Sequence, residues 1–195
     1  SSQPTNIFHI LFCIGGSAAT WHDRSRYSST WWVPNKPTVP RPIRTCQLSC
    51  SRSAVRIARV ISDSVKLRLP RVRWFVMGDD DTVYYTDNLV SVLSRYDHNQ
   101  MWYIGGNSES VEQDVMHSYD MAFGGGGFAL SYPLAERLVS MLDGCLDRYY
   151  YFYGSDQRIW ACISEIGVPL TREPGFHQCG MGHKSKEQVL KKTGI

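Results

Sequence analysis

The stretch at residues 74–81 constrains the fold of this chain more than any other part of the sequence. Residues 74–77 are all apolar, Gly78 follows them, and three aspartates occupy residues 79–81. A short run that is apolar on both faces is typical of a strand buried in a largely parallel sheet. In such sheets, ligands bind just beyond the carboxyl ends of the strands. The stretch therefore predicts an α/β domain with an acidic site at the end of one strand.

The three adjacent carboxylates allow two interpretations. They would repel one another and resist ionisation unless a cation lies among them, and oxygen ligands suit Mg²⁺ or Mn²⁺. Such an ion usually serves a substrate that carries phosphate. Alternatively, the acids form a loop that leads into the next helix, because Thr86 and Asp87 are typical of a helix start. Composition does not decide between these interpretations.

Strand-like and helix-like segments alternate along the chain. Apolar runs predict five strands, at residues 7–14, 73–77, 101–104, 128–130 and 168–170. Apolar residues at helical spacing predict four helices, at residues 52–69, at residues 87–97, from Pro133 onward and from Ser155 to Gly167. Alternation of this kind indicates an α/β fold with a mixed, mostly parallel sheet flanked by helices.

The chain of 195 residues is long enough for one domain, which we place at residues 1–179. Four prolines fall between residues 34 and 42, so we expect residues 34–50 to be irregular. Residues 180–195 are rich in lysine and lack periodicity, and we expect them to form a loose basic tail.

Charge and cysteine content narrow the class of partner and compartment. The formal net charge of +3 is too small to argue for nucleic acid, and the apolar run near residues 10–14 is too short to span a bilayer. Any membrane anchor would therefore lie outside this sequence. Cys46 and Cys50 lack a second pair of ligands for structural zinc. Cys145 and Cys162 either pair in an oxidising lumen or remain buried thiols.

Four features beyond the acids are candidates for a site. The four glycines at residues 124–127 allow the backbone to approach a sugar or a diphosphate, although a tight turn accounts for part of the pattern. Asp156 begins a predicted helix, where it either complements the helix dipole or acts as a general base. His177 is a structural residue or a ligand from a second segment. The aromatic run at residues 149–153 forms either an apolar wall or a sugar platform.

Taken together, these motifs resemble the fringe-like β-1,3-glycosyltransferases. The resemblance is carried by residues 74–82, 103–107, 124–131, 153–159 and 173–178, and it is strongest to the plant branch, known as a domain of unknown function. It implies a GT-A, Rossmann-like fold and a UDP-sugar donor. It also implies a glycan or glycoconjugate acceptor, Mn²⁺ (or Mg²⁺) as cofactor, and inversion at the anomeric carbon. Relatives act in the Golgi lumen as type II membrane proteins.

The resemblance also implies roles for individual residues. Asp81 corresponds to the direct metal ligand and His177 to the histidine that completes the metal site. Asp156 corresponds to the catalytic base, although Ser155 stands where the family often has a second acid. The positions that correspond to donor binding are Asp79, Asp80, Gly126, Gly127 and Phe128.

The leading interpretation is a metal-dependent, inverting glycosyltransferase that forms a β-1,3 linkage. The alternative is a truncated, catalytically inactive relative that binds a nucleotide-sugar or a partner, because family members continue well beyond residue 178 in a different sequence. Metal-dependent phosphate hydrolysis would also use an acidic triplet. Two-metal hydrolases, however, gather ligands from several segments, and this sequence has one dense cluster.

Overall fold

In the computed structural model, the described residues are 4–16, 21–31 and 55–177. The proline-rich segment at residues 34–50 lies outside them, as do the basic tail and the cysteines at positions 46, 50 and 179. The expectations for these segments therefore stay predictions.

Five strands form one sheet in the order β1-β2-β4-β3-β5. The strands are β1 (Ile10–Gly15), β2 (Trp74–Asp79), β3 (Tyr103–Gly105), β4 (Phe128–Ser131) and β5 (Leu170–Arg172). β1 pairs with β2 in parallel, β5 pairs with β3 in parallel, and β4 runs antiparallel to both β2 and β3. Four strands thus point the same way, and the prediction of a mixed, mostly parallel sheet is confirmed.

The reversed direction of β4 follows from the connection that precedes it. The chain leaves β3 at Gly105 and passes through the short helix α4 (Val111–Met116). It then turns through a single 3₁₀ turn at Gly124–Gly126 and enters β4 at Phe128. A parallel strand would have to begin at the opposite end of the neighbouring strands, which requires a crossover that this connection does not make. The glycine-rich turn therefore lies at the edge where the other strands end.

The other helices cover the sheet. They are α1 (Trp21–Trp31), α2 (Arg56–Lys66), α3 (Thr86–Leu93), α5 (Tyr132–Arg148) and α6 (Ser155–Ile166). Gly167 ends α6 in the left-handed conformation with φ of 83°, as expected for a glycine that stops a helix. The sequence did not predict α1 or α4, and the first strand is shorter than predicted because Ile7–His9 forms a 3₁₀ turn.

Both faces of β2 are buried, as the apolar run predicted. Phe75 and Met77 face the larger core, which is formed with α2, α5 and α6. Trp74 and Val76 face a second core that includes Leu89 and Leu93 of α3. This alternation makes β2 a central strand, and it fixes where the acidic residues begin. Among the described residues, no helix is long and apolar enough to cross a bilayer.

A disulfide bond joins α5 to α6. It links Cys145 to Cys162, whose Cα atoms are 5.9 Å apart, and both residues are fully buried in the larger core. The bond resolves the two possibilities that the sequence left open for this pair. Since Asp156 lies on the first turn of α6, the disulfide also ties the candidate base to the core helix α5.

We expect the double substitution Cys145→Ala with Cys162→Ala to lower the free energy of unfolding by about 2–4 kcal/mol, because the bond closes a loop of 17 residues. Chemical denaturation with and without a reductant measures this effect. Reductant should destabilise the wild-type protein and leave the double variant unchanged. A wild-type protein indifferent to reductant would contradict the assignment.

Candidate active site

The polar residues singled out in the sequence lie together at the carboxyl ends of the parallel strands. Asp79 is the last residue of β2 and residues 80–81 follow it, residues 173–177 follow β5, and the glycine turn precedes β4 at the same end of the strands. They surround a cavity of about 580 Å³. The residues on its wall include Arg24, Asp79, Asp81, Tyr85, Gly125, Gly126 and His177.

The three aspartates have three different surroundings. Asp80 is 3% exposed, and its Oδ1 accepts a hydrogen bond from Nη1 of Arg24 at 3.1 Å. Asp81 is more exposed, and its Oδ2 lies 3.7 Å from the same Arg24 nitrogen. Asp79 ends β2, and its backbone N–H donates to Oγ1 of Thr82 at 2.8 Å. A cation does lie among the acids, as electrostatics requires, and in this structure it is the Arg24 guanidinium.

Asp79 has a raised pKa because it is buried and lies beside other acids. Its burial raises its pKa from 3.8 to about 6, and the negative charges of Asp81, Asp80 and Asp156 add to the shift, while Arg56 opposes it. A carboxyl group in this position gives up its proton less readily than an exposed aspartate. A further cation in the cavity would therefore favour the ionised form of Asp79.

Close packing behind the acids requires glycine at two positions. The hydroxyl of Tyr84 donates to the carbonyl oxygen of Met77 at 2.7 Å. A Cβ atom on Gly78 would lie 2.2 Å from that hydroxyl oxygen. Gly127 has φ of 75°, and a Cβ atom there would lie 2.9 Å from the Met77 carbonyl oxygen. The two glycines thus let the β4 turn pack against the end of β2.

Asp156 reaches the same edge from α6. Its Oδ2 accepts a hydrogen bond from the backbone N–H of Gly124 at 3.0 Å, and its Oδ1 accepts one from the backbone N–H of Gln157 at 2.9 Å. A Cβ atom on Gly124 would lie 3.1 Å from Oδ2, so a side chain there would crowd the carboxylate. Asp156 is partly buried and does not line the cavity wall itself. It adjoins that wall through the turn that contains Gly125 and Gly126.

His177 lies on the cavity wall opposite the core and is exposed. Its Nδ1 is 3.1 Å from Oε1 of Glu109, with the histidine side chain 66% exposed. Among the residues that the structure describes, no three side chains of His, Cys, Asp or Glu form a group that could hold a metal ion by themselves. Asp81 and His177 do line the same cavity. Mg²⁺ and Mn²⁺ sites that bind phosphates often use one or two protein ligands and complete the shell with substrate and water. The two residues fit a site of that kind.

Three of the expected donor-binding residues do not line the cavity. Phe128 is fully buried and packs against Tyr103 in an edge-to-face contact, with ring centroids 5.6 Å apart. Its side chain fills the core, so a contact with a donor would have to come from its backbone. Asp80 is buried and does not line the cavity, and its visible role is to hold Arg24. Gly127 supports the turn behind Gly126.

Sequence reasoning missed Arg24. It lies on α1, 56 positions from its partner Asp80, and no local pattern distinguishes it from its neighbours. The one available signal was the requirement that three adjacent acids need a cation, which indicated a charge without naming a residue.

The aromatic run beyond α5 forms a fixed loop beside Asp156. Tyr149 stacks on Phe152 with their planes 1° apart, and Nε of Arg158 donates to the Phe152 carbonyl oxygen at 2.8 Å. Three tyrosines of the loop are largely exposed, namely Tyr150, Tyr151 and Tyr153. The loop therefore presents aromatic surface next to the base candidate.

The substitution Asp79→Asn should stabilise the protein at neutral pH. The raised pKa of Asp79 means that the folded state binds more protons than the unfolded state between about pH 4 and pH 6, so stability falls as pH rises through this window. The amide removes that penalty, which gives a gain of about 1–3 kcal/mol at pH 7.5 and almost none at pH 4. Urea denaturation at both values measures it.

Asp143→Asn is the matched control, because Asp143 is exposed and its ion pair is with the exposed Arg59. We expect it to change stability by less than about 0.5 kcal/mol at either pH. A destabilised Asp79→Asn protein at pH 7.5 would contradict the electrostatic description of the cluster.

The chain resembles known proteins in sequence. Residues 113–186 match a family model described as "Protein of unknown function, DUF604". A human protein named beta-1,3-glucosyltransferase is 28% identical over 163 residues, which cover 82% of this chain and 31% of that protein. The zebrafish beta-1,3-N-acetylglucosaminyltransferase lunatic fringe is 31% identical over 142 residues, which cover 63% of this chain and 36% of the relative. The chain thus spans about a third of the length of the curated relatives it matches.

A solved structure shares the fold. It is the crystal structure of a glycosyltransferase involved in the glycosylation of the major capsid of PBCV-1, with a TM-score of 0.52. The alignment covers 94% of this chain and 98% of that one at 10% sequence identity, so the likeness concerns the fold alone.

Proposed function

We propose that this chain, a sequence relative of the fringe-like β-1,3-glycosyltransferases, transfers a sugar from a UDP-sugar to a hydroxyl of a glycan or glycoconjugate. The transfer would invert the configuration at the anomeric carbon and form a β-1,3 linkage. One observation carries the proposal. The end of β2, the segment after β5 and the glycine turn before β4 enclose a single cavity, and Asp156 adjoins that turn.

The cavity has the chemistry that a nucleoside diphosphate requires. Its volume of about 580 Å³ is in the range of small-molecule sites. Arg24 lines it and can bind an anionic group through its planar guanidinium. Tyr85, which is 53% exposed, offers an aromatic face for the uracil ring, and Gly125 and Gly126 allow close approach of a sugar.

We propose that Asp81 and His177 hold a divalent cation together with the donor diphosphate. Asp79 would add negative charge nearby, because a cation lowers its raised pKa and favours its ionised form. A bound Mn²⁺ or Mg²⁺ would neutralise the charge that develops on the departing diphosphate. Asp80, held by Arg24, would keep that guanidinium in the cavity.

Asp156 is the proposed base. The acceptor oxygen forms a bond to the anomeric carbon as the bond from that carbon to the diphosphate oxygen breaks, the hydroxyl proton passes to the Asp156 carboxylate, and UDP leaves as an anion. The two backbone hydrogen bonds to Asp156 fix its orientation, and each carboxylate oxygen retains a second lone pair for the acceptor hydroxyl.

The acceptor side of the proposed site is the tyrosine loop at residues 149–153. Exposed aromatic faces pack well against the apolar faces of sugar rings, and the Arg158 hydrogen bond to this loop keeps the platform in place before a ligand arrives. The loop leads directly into the first turn of α6, so a sugar on it would lie near Asp156.

The proposed compartment is the Golgi lumen. The disulfide between α5 and α6 suits an oxidising lumen and would be unusual in the cytosol.

The second candidate function is an inactive relative that binds a nucleotide-sugar or a partner without turnover. Arg24 favours it, because its guanidinium already neutralises part of the charge that would attract a divalent cation. The two candidates differ in turnover and agree in binding.

Release of UDP from UDP-sugars, with and without acceptor saccharides, tests the proposal. We expect Asp156→Asn to reduce turnover by about 10²–10⁴-fold and to leave UDP affinity unchanged, because it removes the base alone. Asp81→Ala should weaken metal-dependent UDP binding and turnover together.

Asp87→Asn serves as the control, because Asp87 lies in the first turn of α3 and does not line the cavity. Equal turnover by Asp156→Asn and the wild-type protein would refute the role of Asp156. Binding without turnover in the wild-type protein, across donors and acceptors, would favour the inactive relative.

A further inference from the structure

A second cavity lies at the opposite end of the strands, where β1 and β2 begin. Its volume is about 520 Å³. Four basic side chains line it, His9, Arg71, Arg73 and His98, together with Asn99 and Tyr132. These basic residues come from three separate segments of the chain, and none of them takes part in the proposed transfer reaction. We call this cavity the basic pocket.

Backbone hydrogen bonds fix the walls of the basic pocket. The N–H of Arg73 donates to the carbonyl oxygen of His9 at 2.8 Å, and the N–H of Tyr132 donates to the carbonyl oxygen of Arg73 at 2.8 Å. The starts of β1 and β2 and the first turn of α5 are therefore joined directly. The pocket is a built feature of the sheet edge.

The basic side chains in the pocket repel one another. Burial lowers the pKa of His9, and the nearby charges of Arg73, His98 and Arg71 lower it further. Burial also lowers the pKa of His98, and Arg73 adds to that effect. Asp97 opposes the shift of His98, yet the Asp97 carboxylate accepts hydrogen bonds within its own turn from Asn99 and Gln100. The lowered pKa values favour the neutral forms of both imidazoles, so the positive charge of the pocket comes from Arg71 and Arg73.

His9 is prepared to donate a hydrogen bond. It is 6% exposed, and its Nδ1 accepts a hydrogen bond from the backbone N–H of Asn6 at 3.1 Å. In the neutral ring this arrangement puts the proton on Nε2. Among the described residues, none accepts a hydrogen bond from that nitrogen. That nitrogen reaches solvent at the pocket surface, where it can donate to water or to an oxygen of a ligand.

Backbone strain adds an independent sign of function at Arg71. Its φ is 71°, in the left-handed region that side chains other than glycine rarely adopt. Strain of this kind persists where the surrounding structure imposes it, and it clusters at ligand sites. The seventeen-residue helix α5 also begins at this pocket, and the positive end of its dipole adds to the charge there.

We propose that the basic pocket binds a tetrahedral oxyanion, a phosphate or sulfate group. Two guanidinium groups match the several oxygens of such an anion better than a single carboxylate, and two imidazoles supply further donors. The group could belong to a free small molecule or to a lipid headgroup. This site is independent of the donor cavity and of the proposed transfer.

Inorganic phosphate and sulfate are the first probes. We expect either anion to raise the pKa values of His9 and His98, measured by NMR titration of the imidazole resonances, with saturation in the millimolar range. His9→Gln and His98→Gln assign the two resonances among the six histidines of the chain. Co-sedimentation with phosphatidylcholine vesicles, with and without phosphatidic acid, tests the lipid source.

Two substitutions test the arginines. Arg71→Gly should weaken phosphate binding at least tenfold while the melting temperature stays near the wild-type value, because glycine tolerates the left-handed backbone. Arg73→Gln should weaken binding to a similar extent. Arg59→Ala is the matched control, since it removes one positive charge from an exposed surface pair outside the pocket and should leave binding unchanged.

Each outcome bears on the proposal. Phosphate binding that the Arg71 and Arg73 variants lose supports an oxyanion site, and sedimentation only with phosphatidic acid assigns it to a headgroup. If Arg59→Ala weakened phosphate binding as much as the pocket variants do, net charge alone would explain the effect, and the proposal would be overturned. Absence of binding to free anions and to vesicles in the folded wild-type protein would also overturn it.

Discussion

The interaction on which the site depends is the attraction between three consecutive carboxylates and the cations that offset them. β2 is buried on both faces and delivers residues 79–81 together to the edge of the sheet. Burial and mutual repulsion raise the pKa of Asp79 to about 6, whereas Asp80 and Asp81 share the guanidinium of Arg24. Because the raised pKa of Asp79 disfavours its ionised form, a further cation beside the three acids would stabilise that form and would itself be attracted. A divalent ion that arrives with a diphosphate is a cation of this kind.

Backbone geometry brings the rest of the machinery to those acids. β4 runs against the other strands, so its entry turn lies at the edge where they end. Gly127 and Gly78 permit that turn to pack against β2, and Gly124 permits the Asp156 carboxylate to receive a backbone hydrogen bond. The disulfide then anchors α6, which carries Asp156. The proposed base thus lies on an anchored helix with its carboxylate held by backbone hydrogen bonds, which favours a preorganised orientation.

Local signals predicted much of this and failed where tertiary structure decides. The apolar run at residues 74–77, the stripe of α5 and the glycine that ends α6 depend on neighbouring residues, and the structure agrees with each. Arg24 depends on where α1 lies against the sheet, which no short pattern reports. Phe128 corresponds to a donor-binding position of the family, and in the structure its side chain fills the core against Tyr103, which depends on how β3 and β4 pair. The roles of Asp81, Asp156 and His177 came from family resemblance and stay predictions, although the structure brings them to one edge.

The most direct test of the central claim is calorimetric titration of UDP into the folded wild-type protein, first with Mn²⁺ and then with EDTA. Because the proposed donor site uses a divalent cation beside the diphosphate, we expect UDP to bind with Mn²⁺ and binding to fall at least tenfold with EDTA. Equal affinity under both conditions would contradict a cation-dependent donor site, and absence of binding in a folded sample would contradict the donor site itself.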